Sequence, residues 1–199
     1  MSNDGVNTSR RRFLAASTAV VGAAGAVGVA VPFVGSWQPS ARAKAAGAPV
    51  KVDLSKVKPG EMITVEWRGK PVYVVRRTEE QLKNMTTLDG DLKDPNSEIS
   101  KQPAYITDNT RAINPEYGIY VGLCTHLGCA PKFRPEVGPA DLGAGWLGGF
   151  FCPCHGSRFD LAGRVYKGVP ASSNLVVPPY RYVDGPGLLV VIGEDEGAA

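Results

Sequence analysis

All four cysteines and both histidines of the 199-residue chain fall in two short boxes, and nothing else in the sequence limits the fold as much. The boxes are Cys124-Thr125-His126-Leu127-Gly128-Cys129 and Cys152-Pro153-Cys154-His155-Gly156-Ser157. If their soft ligands share one site, two loops far apart in the chain must meet. Three chemistries compete for such a site. A structural zinc site closes tetrahedrally on four ligands, usually from Cys-x₂₋₄-Cys pairs. Six candidates in Cys-x-His-x₂-Cys and Cys-x-Cys-His order fit that poorly. Haem attachment needs Cys-x-x-Cys-His and thioredoxin-like chemistry needs Cys-x-x-Cys. Neither occurs, because a single residue separates Cys152 from Cys154. The third chemistry is a mixed-ligand iron–sulfur cluster, with one cysteine and one histidine from each box.

The N-terminal end reads differently from the rest. Residues 1–44 carry Arg10, Arg11, Arg12, Arg42 and Lys44 against Asp4, so the net charge of +3 resides there and the remainder is close to neutral. No run of like charge occurs, and no nucleic-acid partner is expected. Phe13–Trp37 is uncharged and mainly Ala, Val, Gly and Phe, which is long enough to cross a bilayer core of about 20 residues. Ser9-Arg10-Arg11-Arg12-Phe13-Leu14 resembles the twin-arginine export signal, which addresses proteins folded in the cytoplasm. The apolar run exceeds the roughly 7–15 residues of a cleaved signal, and Trp37 suits an interfacial anchor. These features divide the chain into a cytoplasmic twin-arginine segment (1–12), a membrane anchor (13–37), a flexible linker (38–49) and a head (50–199).

Gly and Pro, 24 and 16 residues, make up about a fifth of the chain, against a usual ~12%. That excess favours turns over a helix bundle. Val50, Val52 and Leu54 alternate with polar residues as on a half-buried strand. Met62–Arg68 and Pro71–Arg77 read as a hairpin turning at Gly69-Lys70. Thr78-Glu79-Glu80-Gln81 opens a short helix through about Met85 as a capping box. Residues 86–104 read as a surface loop. Ile119–Leu123, Gly149–Cys152 and Leu188–Ile192 read as short strands, the last after an Asp184-Gly185-Pro186-Gly187 turn. The expected class is all-β, a small antiparallel head behind one membrane helix. Gly143-Ala144-Gly145-Trp146-Leu147-Gly148 matches G-x-G-x-x-G but lacks the strand–turn–helix setting a dinucleotide requires. It is expected to be a loop.

Both boxes resemble, residue for residue, the Cys-x-His-x-Gly-Cys and Cys-x-Cys-His-x-Ser pattern of the Rieske iron–sulfur proteins. The resemblance implies a β head with a cluster-binding subdomain and one [2Fe-2S] cluster. It puts Cys124 and Cys152 on one iron and His126 and His155 on the other, with a Cys129–Cys154 disulfide clamping the loops. Ser157 is expected to donate its hydroxyl to the sulfurs. Replacing two thiolates by neutral imidazoles makes the oxidised cluster neutral and easier to reduce.

The second cysteine pair, Val65-Glu66-Trp67-Arg68-Gly69-Lys70-Pro71 and Gly168-Val169-Pro170 are similar to the iron–sulfur subunits of bacterial ubiquinol–cytochrome c reductases, the cytochrome bc complex or respiratory complex III. That branch implies an oxidoreductase subunit active only within its complex. Ubiquinol on cytochrome b would meet His155, with His126 beside it and Leu127 packing nearby. The electron would pass to a c-type cytochrome and a proton to the periplasm. The complex is expected to be a dimer in the inner membrane with this head on the periplasmic side. A Rieske small subunit of an arsenite-type molybdenum oxidase is the alternative. Two positions depart from the family pattern: Phe159 stands where many members carry Tyr, and Ser172 where a second Pro is common.

Overall fold

The computed structural model describes residue 5, residues 7–183 and residues 188–194. The expected Asp184–Gly187 turn lies outside the described residues. The chain divides into two units, residues 1–45 and 46–199. In the first, helix α1 runs from Thr8 to Gly35, 28 residues, about 42 Å at 1.5 Å per residue. Asn7 caps it by accepting from the Arg10 N–H. None of its residues is buried, and its length and composition suffice to cross a membrane. Trp37 lies just past its end with its ring edge against Phe33, centroids 5.6 Å apart. Helix α2, Ala41–Ala46, occupies part of the segment read as a linker. Alanine is the best helix former, and the Ser40 hydroxyl accepts from the Ala43 N–H at its start.

Among the described residues, the second unit holds nine short strands in three antiparallel sheets. β1 (Val50–Asp53), β9 (Leu189–Ile192) and β8 (Tyr180–Tyr182) form the first, in that order. β2 (Met62–Trp67), β3 (Lys70–Arg76) and β4 (Tyr117–Val121) form the second. Val52, Leu54, Val190 and Ile192 share one core with Val72, Val74 and Ile119. β5 (Lys132–Arg134), β6 (Gly149–Phe151) and β7 (Arg158–Asp160) form the third, directly beside the boxes. Phe150 at its centre is fully buried. Its ring stacks on Tyr73 at 5.7 Å and meets Tyr120 edge-on at 5.9 Å, which joins this sheet to the second.

Several sequence expectations hold and others shift. The hairpin forms, but Trp67 pairs with Lys70, so its turn is Arg68-Gly69, both at positive φ. That is the two-residue turn whose twist suits a hairpin. Arg68, unusual there as a non-glycine, lays its guanidinium over the Trp67 ring at 4.5 Å. Helix α3, Glu79–Thr86, opens with the full capping box of Thr78 and Gln81. The stretch 86–104 is not simply a surface loop: Leu88, Leu92 and Asp94 are buried, and Leu92 bridges Tyr166. Residues 143–148 form a loop anchored by Trp146, which is buried and stacks on Tyr166 at 6.0 Å.

Candidate metal centre

The two boxes fold into the same kind of loop. In the first, the Cys124 N–H donates to the Cys129 carbonyl at 2.8 Å and the Gly128 N–H to the Cys124 carbonyl at 2.9 Å. In the second, the Cys152 N–H donates to the Ser157 carbonyl at 2.8 Å and the Gly156 N–H to the Cys152 carbonyl at 2.9 Å. The fifth position of each loop turns with φ of 82° at Gly128 and 75° at Gly156. Glycine reaches that region without the Cβ clash that penalises other residues. β4 leads into the first loop, while β6 and β7 flank the second.

The loops are joined by a disulfide between Cys129 and Cys154, whose Cα atoms lie 6.7 Å apart. The sulfurs of Cys129, Cys152 and Cys154 all lie within 4.8 Å of one another. Cys124 and Cys152 are free thiols, 4% and 1% exposed. Burial pushes the Cys124 thiol up, against the His126 N–H and the Ser157 hydroxyl, which favour its thiolate. The imidazoles of His126 and His155, one from each loop, meet edge to face, centroids 4.8 Å apart and planes at 87°. His126 is half-buried, and His155 is exposed. Cys124, His126, Cys152, His155 and Ser157, distant in sequence, thus converge on one place.

Whether these residues suit an iron–sulfur group can be judged from their bonding. His126 Nδ1 is buried and has no hydrogen-bond partner, a state that costs free energy unless something else binds the atom. Two buried thiols and two imidazoles at the mouth form the donor set of a mixed cysteine–histidine cluster. The residues fit the group.

Other residues complete the surroundings, and of these the sequence pointed only to Gly168–Pro170 and Ser172. Tyr73 donates its hydroxyl to the Pro131 carbonyl at 2.8 Å; burial, and then the nearby Cys152, push its pKa up. The stretch Gly168–Ser173 lies against both boxes. The Ala171 N–H donates to Ser157 Oγ at 3.1 Å, and the Thr125 hydroxyl donates to the Ser173 carbonyl at 2.5 Å. Asn174 fixes the end of this cover: its side chain accepts from the Val165 N–H and donates to the Asp94 carbonyl.

Residues 49–181 match the family described as Rieske [2Fe-2S] domain. Residues 1–40 match the family described as Ubiquitinol-cytochrome C reductase Fe-S subunit TAT signal. The ubiquinol-cytochrome c reductase iron-sulfur subunit of Allochromatium vinosum is 57% identical over 100% of this chain and 95% of its own length. The subunit of the same name from Blastochloris viridis is 40% identical over 96% of this chain and 98% of its own length. A solved structure, a hyperthermophilic respiratory Complex III, covers 89% of this chain and 99% of its own at 25% identity; its TM-score of 0.49 is too low to add weight. With two cysteine–histidine loops bridged by a disulfide on a three-sheet β head, the chain belongs to the Rieske [2Fe-2S] family, among the iron–sulfur subunits of ubiquinol–cytochrome c reductases.

Proposed function

We propose that this chain carries electrons from ubiquinol on cytochrome b to a c-type cytochrome. Cys124 and Cys152 would hold one iron of the cluster, and His126 and His155 the other. The observation that carries the reading is a pair of disulfide-bridged loops that bury two free thiols and bring two imidazoles to 4.8 Å of each other. A group held there is closed off on its sulfur side and reachable from the histidine side. When bound, the cluster supplies one-electron chemistry at a raised potential, because neutral imidazoles replace two thiolates.

The chain's own residues do the rest. His155, the more exposed imidazole, takes the hydrogen bond from the quinol hydroxyl and carries its proton to the periplasmic side. Leu127, 72% exposed beside His126, offers apolar surface to cytochrome b. The Thr8–Gly35 helix holds the head at the inner membrane, with Arg10–Arg12 on the cytoplasmic side and residues 38–49 serving as a hinge. The whole-length identity to the Allochromatium subunit favours this over the molybdenum-oxidase reading. The complex is a dimer in this reading.

The test is an EPR-monitored redox titration of the complex in native membranes, repeated across pH. Reduction adds negative charge at the site, which favours taking up a proton together with the electron. The reduced form then binds more protons, and the midpoint potential falls as pH rises through the alkaline range. A potential that stays flat from neutral to strongly alkaline pH refutes proton coupling at these histidines.

Phe159 offers a second check. It is fully buried in the core that contains Cys124 and Cys152. It sits in the middle of β7, which starts directly after Ser157. Phe159→Tyr places a hydroxyl toward the sulfurs. A hydrogen bond to a charged acceptor contributes about 1.5–3 kcal/mol, of which the share that strengthens on reduction is about 1–2 kcal/mol. At 1.36 kcal/mol per tenfold change and 59 mV per tenfold, the midpoint should rise by roughly 40–90 mV. An unchanged potential with lowered thermal stability would mean that the hydroxyl is buried without a partner.

A further inference from the structure

The third sheet turns its two faces to different surroundings. Its register sets Phe133, Phe150 and Phe159 side by side in one row, and Lys132, Phe151 and Arg158 in the adjacent row. Successive residues of a strand point to opposite faces. The first row is the inner one: Phe150 and Phe159 are fully buried, and the Phe133 ring lies 5.8 Å from that of Phe150. The outer row is a half-buried phenyl between two cations, Lys132 exposed and Arg158 half-buried. Among the described residues no carboxylate lies within ion-pair distance of either cation.

The row stands at the base of the second box. Phe151 directly precedes Cys152 and Arg158 directly follows Ser157, so Phe151 opposite Arg158 is the last rung before the loop of Cys154 and His155. Three residues of chain span at most about 11 Å, which bounds the backbone separation of Arg158 from the exposed His155. The screening length at physiological salt is about 8 Å, so the charge of Arg158 acts where a partner would meet His155. The head as a whole is close to neutral, so attraction of an anionic partner depends on such a local pair.

We infer that the Lys132–Phe151–Arg158 row docks an acidic face of the c-type cytochrome that receives the electron. The inference rests on the reading that the chain delivers its electron to such a cytochrome. Two cations flanking an aromatic ring match carboxylates set around an apolar spot, which a protein face offers at fixed positions and a layer of headgroups does not. The other box presents Leu127, apolar and suited to cytochrome b. Electron-transfer encounters bury little surface, and charges at the edge of a contact act on the rate of encounter and on its salt dependence.

The experiment uses the whole complex in phosphatidylcholine vesicles, with and without phosphatidylglycerol. It compares the double variant Lys132→Gln with Arg158→Gln, the charge-keeping Lys132→Arg with Arg158→Lys, and Lys51→Gln on β1. Reduction of the cluster by quinol and its reoxidation by the c-type haem are timed separately between about 10 mM and about 150 mM salt, where the screening length falls from about 30 Å to about 8 Å. At low salt the double Gln variant should deliver its electron about tenfold more slowly, at the low end of what steering contributes, and lose most of the salt dependence. The quinol step, the charge-keeping variant and Lys51→Gln should match the parent. Loss of a nearby positive charge disfavours the reduced cluster and makes it a stronger donor, so an effect through the cluster potential would speed delivery; slowing therefore reports docking. Parent-like delivery in the double Gln variant overturns the inference, as does equal slowing in Lys51→Gln. Slowing of the quinol step alone would assign the row to cytochrome b, and slowing only with phosphatidylglycerol would assign it to the membrane; both overturn it. A parent cluster that passes no electron to the c-type haem would instead refute the reading on which the inference rests.

Discussion

Cys154→Ser in the full chain is expected to cost the head about 3.5 kcal/mol and most of its cluster. The disulfide closes a loop of 25 residues, and cross-linking a loop of that length removes about that much denatured-chain entropy. The consequence for the site is larger than the stability figure suggests. Cys154 immediately precedes His155, and Cys129 ends the first loop, so the bridge holds together two loops whose remaining links are few hydrogen bonds and packing. Cys154 is exposed, which leaves its sulfur open to attack by an external thiolate. Incubating the parent with a strong dithiol should therefore reproduce the effect of the substitution. The measurements are iron and acid-labile sulfide per chain, together with the denaturant midpoint. A Cys154→Ser protein with full iron content would show that the loops keep their relation through backbone and cover alone.

What the sequence disclosed and what it hid follow from how local each feature is. The boxes were legible because cluster ligation demands particular residue types at fixed short spacings. The Thr78–Gln81 capping box and the β2–β3 hairpin were legible because each is decided within a few residues. The hairpin turn slipped by one position, since Arg68 adopts a positive φ that its own preference disfavours. β5, β7 and β8 went unread: three residues are too few to display a period, and β7 sets Phe159 between Arg158 and Asp160. The burial of Leu92 and Asp94 was likewise hidden, because their partners Tyr166 and Asn174 lie about 75 or more residues away. Among the site residues, the hydrogen bond from the Ser172 hydroxyl to the Thr125 carbonyl had no sequence sign at all. Ser172 was visible as a departure from a pattern, but only its position in space shows what the hydroxyl meets.

Asp160→Ala should be among the most damaging single changes in the head, at about 3–5 kcal/mol, the cost of breaking a buried ion pair from one side. Asp160 and Arg164 are buried, with side chains 0% and 2% exposed. Asp160 accepts from Arg164 Nε at 2.8 Å and from the Ala162 and Arg164 backbone N–H groups at 2.9 and 2.7 Å. Arg164 also donates to Asp89 at 2.7 Å and to the Met85 carbonyl at 2.8 Å. Burial pulls its pKa down, but the charges and hydrogen bonds of Asp160 and Asp89 together outweigh that and raise it. In Asp160→Ala the guanidinium stays buried with Asp89, half exposed, as its remaining counter-charge. Three backbone and side-chain donors lose their acceptor at the same time. Since Asp160 ends the strand that follows the second box, the damage should reach Ser157 and reduce the iron held per chain. Two explanations of the loss predict different double variants. If an uncompensated charge is responsible, Asp160→Leu with Arg164→Met should recover most of the stability, because a well-packed apolar pair commonly replaces a buried ion pair at little cost. If the network is needed as a tether between β7 and the end of α3, the double variant should remain as unstable as Asp160→Ala. The bonds from Arg164 to Asp89 and Met85 span 75 and 79 residues of sequence, and no apolar side chain can reproduce their direction. The tether should therefore account for part of the loss, leaving the double variant between the two limits. Chemical denaturation of the parent, both single variants and the double variant gives the coupling energy directly. A coupling energy near zero would show that the pair contributes no more than its two residues do separately.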